Sequence, residues 1–241
     1  MGKYDNVEGI SKRTMVLFFL IDKSFSMTGS KIGAVNVAVR EVIPEIQEIA
    51  EDSADANIKI AVLTFSTGAA WMYQSAIDAK DFKWSDINVD GMTDMGHAFK
   101  LLNEKLSRNG GFMSDTAGSY APALFLISDG QPTDDYIKAL NELKSNNWFK
   151  ASLKAAVAIG DDADKDMLAE FTGNPESVLT VHTPETLKKL IRFVSVTASK
   201  IGSKSSNAPV DGQNKTKQDD FNKQIVDFND DIIDLQYDDW S

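Results

Sequence analysis

The feature that most constrains the fold of this chain is a series of short apolar runs that do not alternate with polar residues. The runs span residues 15–21, 58–65, 123–127, 153–159 and 178–181. A strand with apolar side chains on both faces is typical of a parallel sheet that helices cover from both sides. A shorter run at 69–73 follows the second one closely, so we expect it to be an antiparallel strand at the sheet edge.

Between these runs the apolar residues recur every three or four positions, which is the period of an amphipathic helix. The clearest stripe contains Ile32, Val35, Val39, Val42, Ile46 and Ile49. Pro44 lies inside this stripe, so we expect a bend or a weakened turn there. Strands that alternate with helices predict right-handed crossovers and an α/β fold built on a doubly wound sheet.

The net charge of −11 over 241 residues argues against nucleic acid and anionic membranes as partners. Such a chain repels phosphate backbones and anionic lipid headgroups, so we expect neither nucleic acid nor a membrane as a partner. The chain has no cysteine, which excludes disulfides, thiolate metal sites and a cysteine nucleophile and suits a reducing compartment. No run approaches the roughly 20 apolar residues of a membrane-spanning helix. We therefore expect a soluble, cytoplasmic protein.

The last 41 residues differ in composition from the rest of the chain. Residues 201–241 contain 9 Asp and 4 Lys. We interpret 201–220 as a flexible linker and 221–241 as an acidic amphipathic tail. The tail's apolar positions are spaced like one face of a helix: Phe221, Ile225, Phe228, Ile232 and Leu235. Such a helix can dock on its own domain, on a neighbouring copy or in the groove of a partner.

Three loops rich in oxygen-bearing side chains follow or adjoin predicted strands. Their sequences are Asp22-Lys23-Ser24-Phe25-Ser26, Gly91-Met92-Thr93-Asp94-Met95-Gly96 and Ser128-Asp129-Gly130-Gln131-Pro132-Thr133-Asp134-Asp135. Taken singly, each loop is typical of helix N-caps and turns. Three such loops in this order favour a shared site.

In this order the three loops resemble the metal-ion-dependent adhesion site of the von Willebrand factor A domain. The likeness covers roughly residues 12–200, and the sequence of the third loop is most similar to that of the bacterial tellurium-resistance-associated branch. The resemblance implies a mostly parallel sheet of order 3-2-1-4-5-6 with an antiparallel edge strand and helices on both faces. Open sheets of this type bind ligands where the strand order reverses, and Asp22 and Asp129 follow the two strands at that point.

The resemblance implies that Ser24, Ser26 and Thr93 bind the ion directly, while Asp22 and Asp129 act through water or orient the hydroxyls. Hydroxyl and carboxylate oxygens are hard donors that suit Mg2+, with Mn2+ and Ca2+ as alternatives. A ligand shell made mostly of neutral hydroxyls compensates the charge of the cation poorly. In this family the remaining coordination position commonly accepts an Asp or Glu from a protein partner.

Two residues of these loops are candidates for contact with that partner. Phe25 stands where the family usually has Gly, so its ring either belongs to the recognition surface or packs inward. Asp94 follows Thr93 directly and is either a favourable charge at a helix N-terminus or an additional influence on the ion.

The main alternative is a Mg2+-dependent phosphoryl-transfer hydrolase, because haloacid-dehalogenase-type phosphatases also begin with an Asp after their first strand. Those enzymes need a second Asp two residues later, and this chain has Ser24 there. The sequence contains neither a phosphate-binding P-loop nor a dinucleotide-binding glycine motif. We therefore predict a binding module and no enzyme. The resemblance further implies a role in a bacterial stress or tellurium-resistance system.

Overall fold

The structure is a computed structural model that describes residues 12–54, 56–114, 118–160, 162–202 and 217–232. Its strands are β1 (Arg13–Asp22), β2 (Ala56–Ser66), β3 (Gly68–Trp71), β4 (Ile77–Asp78), β5 (Ala123–Ser128), β6 (Leu153–Ile159) and β7 (Val178–Val181). Its α-helices are α1 (Ser30–Asp52), α2 (Met95–Lys105), α3 (Tyr136–Ser145), α4 (Asn147–Ala151), α5 (Lys165–Thr172), α6 (Pro184–Gly202) and α7 (Lys217–Ile232). Short 3-10 turns lie at Phe25–Met27, Ala79–Asp81 and Pro175–Ser177.

The described strands form one mixed sheet of order β3-β2-β1-β5-β6-β7, with β4 pairing against β2. Strands β3 and β4 run antiparallel to β2, and the other pairs are parallel. The predicted doubly wound α/β fold is therefore confirmed. The order differs from the expected one only by β4, whose two residues are too few to produce an apolar period.

The central strand β1 explains why the apolar runs do not alternate. Successive residues of β1 point to opposite faces of the sheet. Met15 and Phe19 belong to the apolar cluster that α1 and α6 cover, whereas Val16 and Phe18 belong to the cluster under α2, α3 and α5. Both faces of β1 are thus removed from water, so both sets of side chains are apolar.

Helix α1 continues through Pro44 over 23 residues. A proline at this position removes one amide donor from the helix. The face that carries Val35, Val39 and Ile46 is nevertheless fully buried against the sheet. Burial of this apolar face stabilises the helix in spite of the missing hydrogen bond.

Helix α7 packs on the same domain, on the face that α1 and α6 cover. Phe221 and Ile225 are fully buried in that core. The Lys154 backbone N–H donates to Gln218 Oε1 at 2.8 Å, and Gln218 Nε2 donates to the Lys154 carbonyl at 3.2 Å. This side chain therefore pairs with the backbone of β6 and fixes the position of the helix.

The helix bounds bear on the predicted linker and tail. Helix α6 extends to Gly202 and α7 begins at Lys217, so both ends of the predicted linker are helical. Residues 203–216 and 233–241 lie outside the described residues. No helix in the described ranges is both long and apolar enough to cross a bilayer.

Candidate metal centre

The three predicted loops meet at the carboxyl edge of the sheet. Strand β1 lies between β2 and β5, and the strand order reverses between β1 and β5. Asp22 ends β1, and Asp129 follows directly after β5. Both carboxylates therefore lie at the point where open α/β sheets bind their ligands.

Asp22 is fully buried and holds the first and third loops together. Its Oδ1 accepts a hydrogen bond from the Ser24 N–H at 2.8 Å, and its Oδ2 accepts one from the Ser128 hydroxyl at 2.6 Å. Burial raises the pKa of Asp22 to about 6, although the hydrogen bonds from Ser128 and Ser24 partly oppose that rise. A cation close to this carboxylate would lower its pKa, because an opposite charge favours the charged form.

The serine pair of the first loop presents two hydroxyls side by side. Ser24 Oγ and Ser26 Oγ are 2.9 Å apart. Ser24 is the N-cap residue of the 3-10 turn at Phe25–Met27, and Ser26 lies within that turn. Ser24 is buried and Ser26 is exposed, so the pair reaches from the interior to the solvent.

Asp129 is a buried carboxylate that lacks hydrogen bonds. Neither of its side-chain oxygens has a hydrogen-bond partner among the described residues. The cation that pairs with it is Lys31 of α1, whose Nζ lies 3.9 Å from Asp129 Oδ2 and 3.6 Å from Asp162 Oδ1. Leaving a buried carboxylate without hydrogen bonds is costly. Two carboxylate oxygens that accept no hydrogen bond from the described residues therefore fit a site for a divalent cation.

Thr93 is buried on the second loop, which hydrogen bonds tie to both other loops. The Phe25 N–H donates to the Gly91 carbonyl at 3.0 Å. The Thr93 N–H donates to Thr133 Oγ1 at 3.0 Å, and the Thr93 carbonyl accepts from the Thr133 N–H at 2.9 Å. Within the described residues, no hydrogen bond joins the side chains of Thr93 or Asp129 to the serine pair. The structure thus brings Asp22, Ser24 and Ser26 into contact and places Thr93 and Asp129 on loops bonded to them.

Asp94 has a different contact from the one expected at a helix N-terminus. Its Oδ2 accepts from the Gly68 N–H at 2.7 Å and so holds the turn between β2 and β3. The first amides of α2 are capped instead by Asp134, which accepts from Gly96 N–H at 3.0 Å and His97 N–H at 3.2 Å. This role of Asp134 was not predicted, although the residue lies in the third loop.

Two large apolar side chains are exposed beside the serine pair. Phe25 is 62% exposed and Met92 is 56% exposed. Phe25 therefore lies at the surface and does not pack inward. Met92 was not predicted as a site residue, and its only signal was its position next to Thr93.

The donor set is rich in hydroxyls and poor in carboxylates. In the part of the chain that the structure describes, no three His, Cys, Asp or Glu side chains are grouped to hold a metal ion. A site made of Asp22, Asp129, Ser24, Ser26 and Thr93 has two carboxylates and three hydroxyls. All of these oxygens are hard donors, which suits Mg2+.

Comparison with known proteins identifies the family. Residues 17–193 match the family described as the von Willebrand factor type A domain. The chain belongs to this family. The matched residues of this von Willebrand factor A (vWA) domain include all three loops of the candidate site. No curated protein matches the chain.

Solved structures show the same fold at low sequence identity. A von Willebrand factor type A protein from Catenulispora acidiphila is 17% identical, with a TM-score of 0.57, over 78% of this chain and 43% of that one. The pilus adhesin SpaC from Lactobacillus rhamnosus GG is 13% identical, with a TM-score of 0.61, over 79% and 30% of the two chains. The von Willebrand factor domain of a type V pili tip protein from Porphyromonas gingivalis is 11% identical, with a TM-score of 0.59, over 83% and 99%.

The vWA domain spans less than half of the first two of these proteins. At these identities the likeness establishes the fold alone. vWA domains commonly mediate adhesion and interaction between proteins, as the pilus adhesin illustrates by its name.

Proposed function

We propose that this vWA domain is a Mg2+-dependent protein-interaction module that binds a carboxylate of its partner. The observation that carries the proposal is the buried Asp129, whose two oxygens lack hydrogen-bond partners among the described residues. It lies at the same sheet edge as Asp22 and the paired hydroxyls of Ser24 and Ser26. Among the described residues Lys31 is its ion-pair partner at 3.9 Å, and a divalent cation would compensate the buried charge more fully.

In this proposal the five predicted residues share the ion as a metal-ion-dependent adhesion site. Ser24, Ser26 and Thr93 supply hydroxyl ligands, while Asp22 and Asp129 compensate the charge through water or orient the hydroxyls. Bound Mg2+ supplies an open coordination position for an Asp or Glu carboxylate. Mn2+ and Ca2+ are the alternative ions, and Ca2+ is less favoured because it takes six to eight oxygen ligands.

The exposed side chains beside the serine pair form the second part of the proposed interface. Phe25 and Met92 lie on loops joined by the hydrogen bond from Phe25 N–H to Gly91 O. Large apolar side chains that are exposed together commonly mark interaction surfaces. We propose that they contact apolar residues next to the partner's carboxylate. Asp94 acts on this surface indirectly, because its contact with Gly68 holds the neighbouring turn.

We propose binding and not phosphoryl transfer as the activity. Ser24 occupies the position two residues after Asp22 where haloacid-dehalogenase-type phosphatases carry their general acid. A serine hydroxyl gives up its proton far less readily than a carboxylic acid, so it is a poor general acid. The same proposal places the domain in the cytoplasm of a bacterium, in a stress or tellurium-resistance system. The sequence of the third loop and the absence of cysteine from the chain support that placement.

Capture of partners from a bacterial lysate tests the proposed function. The full chain is immobilised in buffer with Mg2+ or with EDTA, and the bound proteins are compared. We expect a set of proteins that is retained with Mg2+, released by EDTA and lost in the Ser26→Ala variant. The matched control is Ser145→Ala, which removes an exposed hydroxyl on α3. Identical bound sets with and without Mg2+ would contradict the proposal.

A further inference from the structure

A groove on the outer side of α6 is separate from the candidate metal centre. It has a volume of about 310 Å³ and lies between α1, α6 and the end of α7. Phe193, Val196 and Phe228 provide its apolar surface, and Lys189 and Arg192 lie at its rim. We call it the α6 groove. Phe193 and Phe228 stack at its edge, with ring centroids 4.1 Å apart and an interplanar angle of 2°.

The direction of α7 brings the chain that follows it to this groove. Gln218 contacts the first residues of β6, at the amino edge of the sheet, while Phe228 reaches the middle of α6. Helix α6 starts at the opposite edge, after β7, so α7 runs antiparallel to it. Ile232 ends α7 about one turn beyond Phe228. The described part of α7 therefore ends beside the α6 groove.

The length of this segment is sufficient to cover the groove. Nine extended residues span at most about 30 Å. The lining from Lys189 to Thr197 extends over about 12 Å along α6, at 1.5 Å per residue. The segment is therefore long enough to reach every residue that lines the groove.

The chemistry of the segment complements that of the groove. The segment contains three Asp and no Lys or Arg. Its residues are Ile233, Asp234, Leu235, Gln236, Tyr237, Asp238, Asp239, Trp240 and Ser241. At the rim, Arg192 pairs with Glu45. Lys189 is exposed, and no carboxylate of the described residues forms a salt bridge with it. The acidic, aromatic composition of the segment thus complements an apolar groove with an available cation.

We infer that residues 233–241 dock in the α6 groove of their own chain. Aromatic and aliphatic side chains of the segment cover Phe193, Val196 and Phe228, and the carboxylates at 238 and 239 lie near Lys189. Burial of the exposed apolar surface favours this contact, and the direct covalent link to α7 gives the segment a high effective concentration at the groove. This docking does not depend on the metal centre.

Hydrogen exchange of the backbone amides of 233–241 in the full chain tests the inference. We expect these amides to exchange at least about ten-fold more slowly than in a peptide of the same sequence. Lys189→Glu reduces the protection several-fold, whereas the control Lys138→Glu on the exposed face of α3 leaves it unchanged. Combining Lys189→Glu with Asp238→Lys and Asp239→Lys restores the protection.

Three results would overturn the inference. Exchange of 233–241 at the peptide rate would show that the segment does not dock. Protection that rises with protein concentration would assign the groove to a second copy of the chain. Equal loss of protection in Lys189→Glu and Lys138→Glu would show that the groove is not involved.

Discussion

The Ser128 hydroxyl donates a hydrogen bond to Asp22 Oδ2 at 2.6 Å and joins the ends of β1 and β5 at the candidate metal centre. The same oxygen, Ser128 Oγ, accepts from the Gly130 N–H at 2.7 Å. One buried hydroxyl thus orients Asp22 and shapes the loop that carries Asp129. This contact adds a side-chain hydrogen bond between the two strands at the point where the strand order reverses.

Replacing Ser128 by Ala tests the importance of this contact for folding. The substitution leaves Asp22 Oδ2 and the Gly130 N–H without their buried partner, so we expect the free energy of unfolding to fall by about 1–3 kcal/mol. Urea unfolding followed by circular dichroism measures the change. The control Ser145→Ala removes an exposed hydroxyl bond at the end of α3 and is expected to cost less than about 0.5 kcal/mol. Equal effects of the two variants would contradict a special role for Ser128.

Asp129→Asn is expected to separate metal binding from stability. Without added metal, the variant removes a buried charge that lacks hydrogen bonds, and Lys31 keeps its ion pair with Asp162, so the free energy of unfolding is expected to equal or exceed that of the wild type. At a Mg2+ concentration of about 100 times Kd, the wild type gains about 2.7 kcal/mol and the variant gains much less. Thermal unfolding with MgCl2 or EDTA measures both effects. A variant that responds to Mg2+ like the wild type would argue against Asp129 in the site.

Phe25→Ser and Met92→Ser together test the apolar part of the proposed interface. Both side chains are exposed, so we expect the free energy of unfolding to change by less than about 0.5 kcal/mol. Mg2+ binding stays intact, while the Mg2+-dependent capture of partners falls about ten-fold or more. Ile137→Ser is a matched control, because Ile137 on α3 is also 56% exposed. Unchanged capture by the double variant would remove Phe25 and Met92 from the interface.

Lys154 gives the stability a defined pH dependence. Its Nζ donates to the carbonyls of Phe149 and Ser152 at 3.0 Å each, and burial lowers its pKa to about 8 from 10.5. Between these two pH values the unfolded state binds more protons than the folded state. The free energy of unfolding contributed by Lys154 therefore rises with pH across this window and is constant below and above it.

Substitution of Lys154 provides the measurement. We expect Lys154→Met to lose the rise in stability between about pH 8 and 10.5, as urea titrations at several pH values would show. Lys150→Met changes an exposed lysine on the neighbouring helix α4 and is expected to keep the rise. If both variants keep the same pH slope as the wild type, Lys154 does not titrate in this window.

The long-range architecture was predictable because it depends on patterns that the sequence displays directly. Strands β1, β5 and β6 are buried on both faces, so each produces a continuous apolar run. The helix period of α1 was visible over six positions in spite of Pro44. Strand β4 was missed because its two residues pair with β2 only through the tertiary structure.

The candidate site was predictable only in part, because a sequence pattern indicates loops and not the contacts between them. The Asp22-x-Ser24-x-Ser26 spacing predicted a cluster, and the contacts among these three residues agree with it. The pairing of Lys31 with Asp129 and the capping of α2 by Asp134 join elements that are distant in sequence. No local pattern indicates such partners. The metal itself stays a prediction.

A crystal structure of the full chain grown with Mn2+ tests the central claim most directly, because anomalous scattering identifies the ion. We predict one strong anomalous peak at the carboxyl edge of the sheet, with Ser24, Ser26 and Thr93 hydroxyls as direct ligands at about 2.0–2.3 Å. Asp22 and Asp129 are expected to lie around this peak, either through water or in direct contact. An anomalous map without a peak between these five residues, at millimolar Mn2+, would contradict the claim.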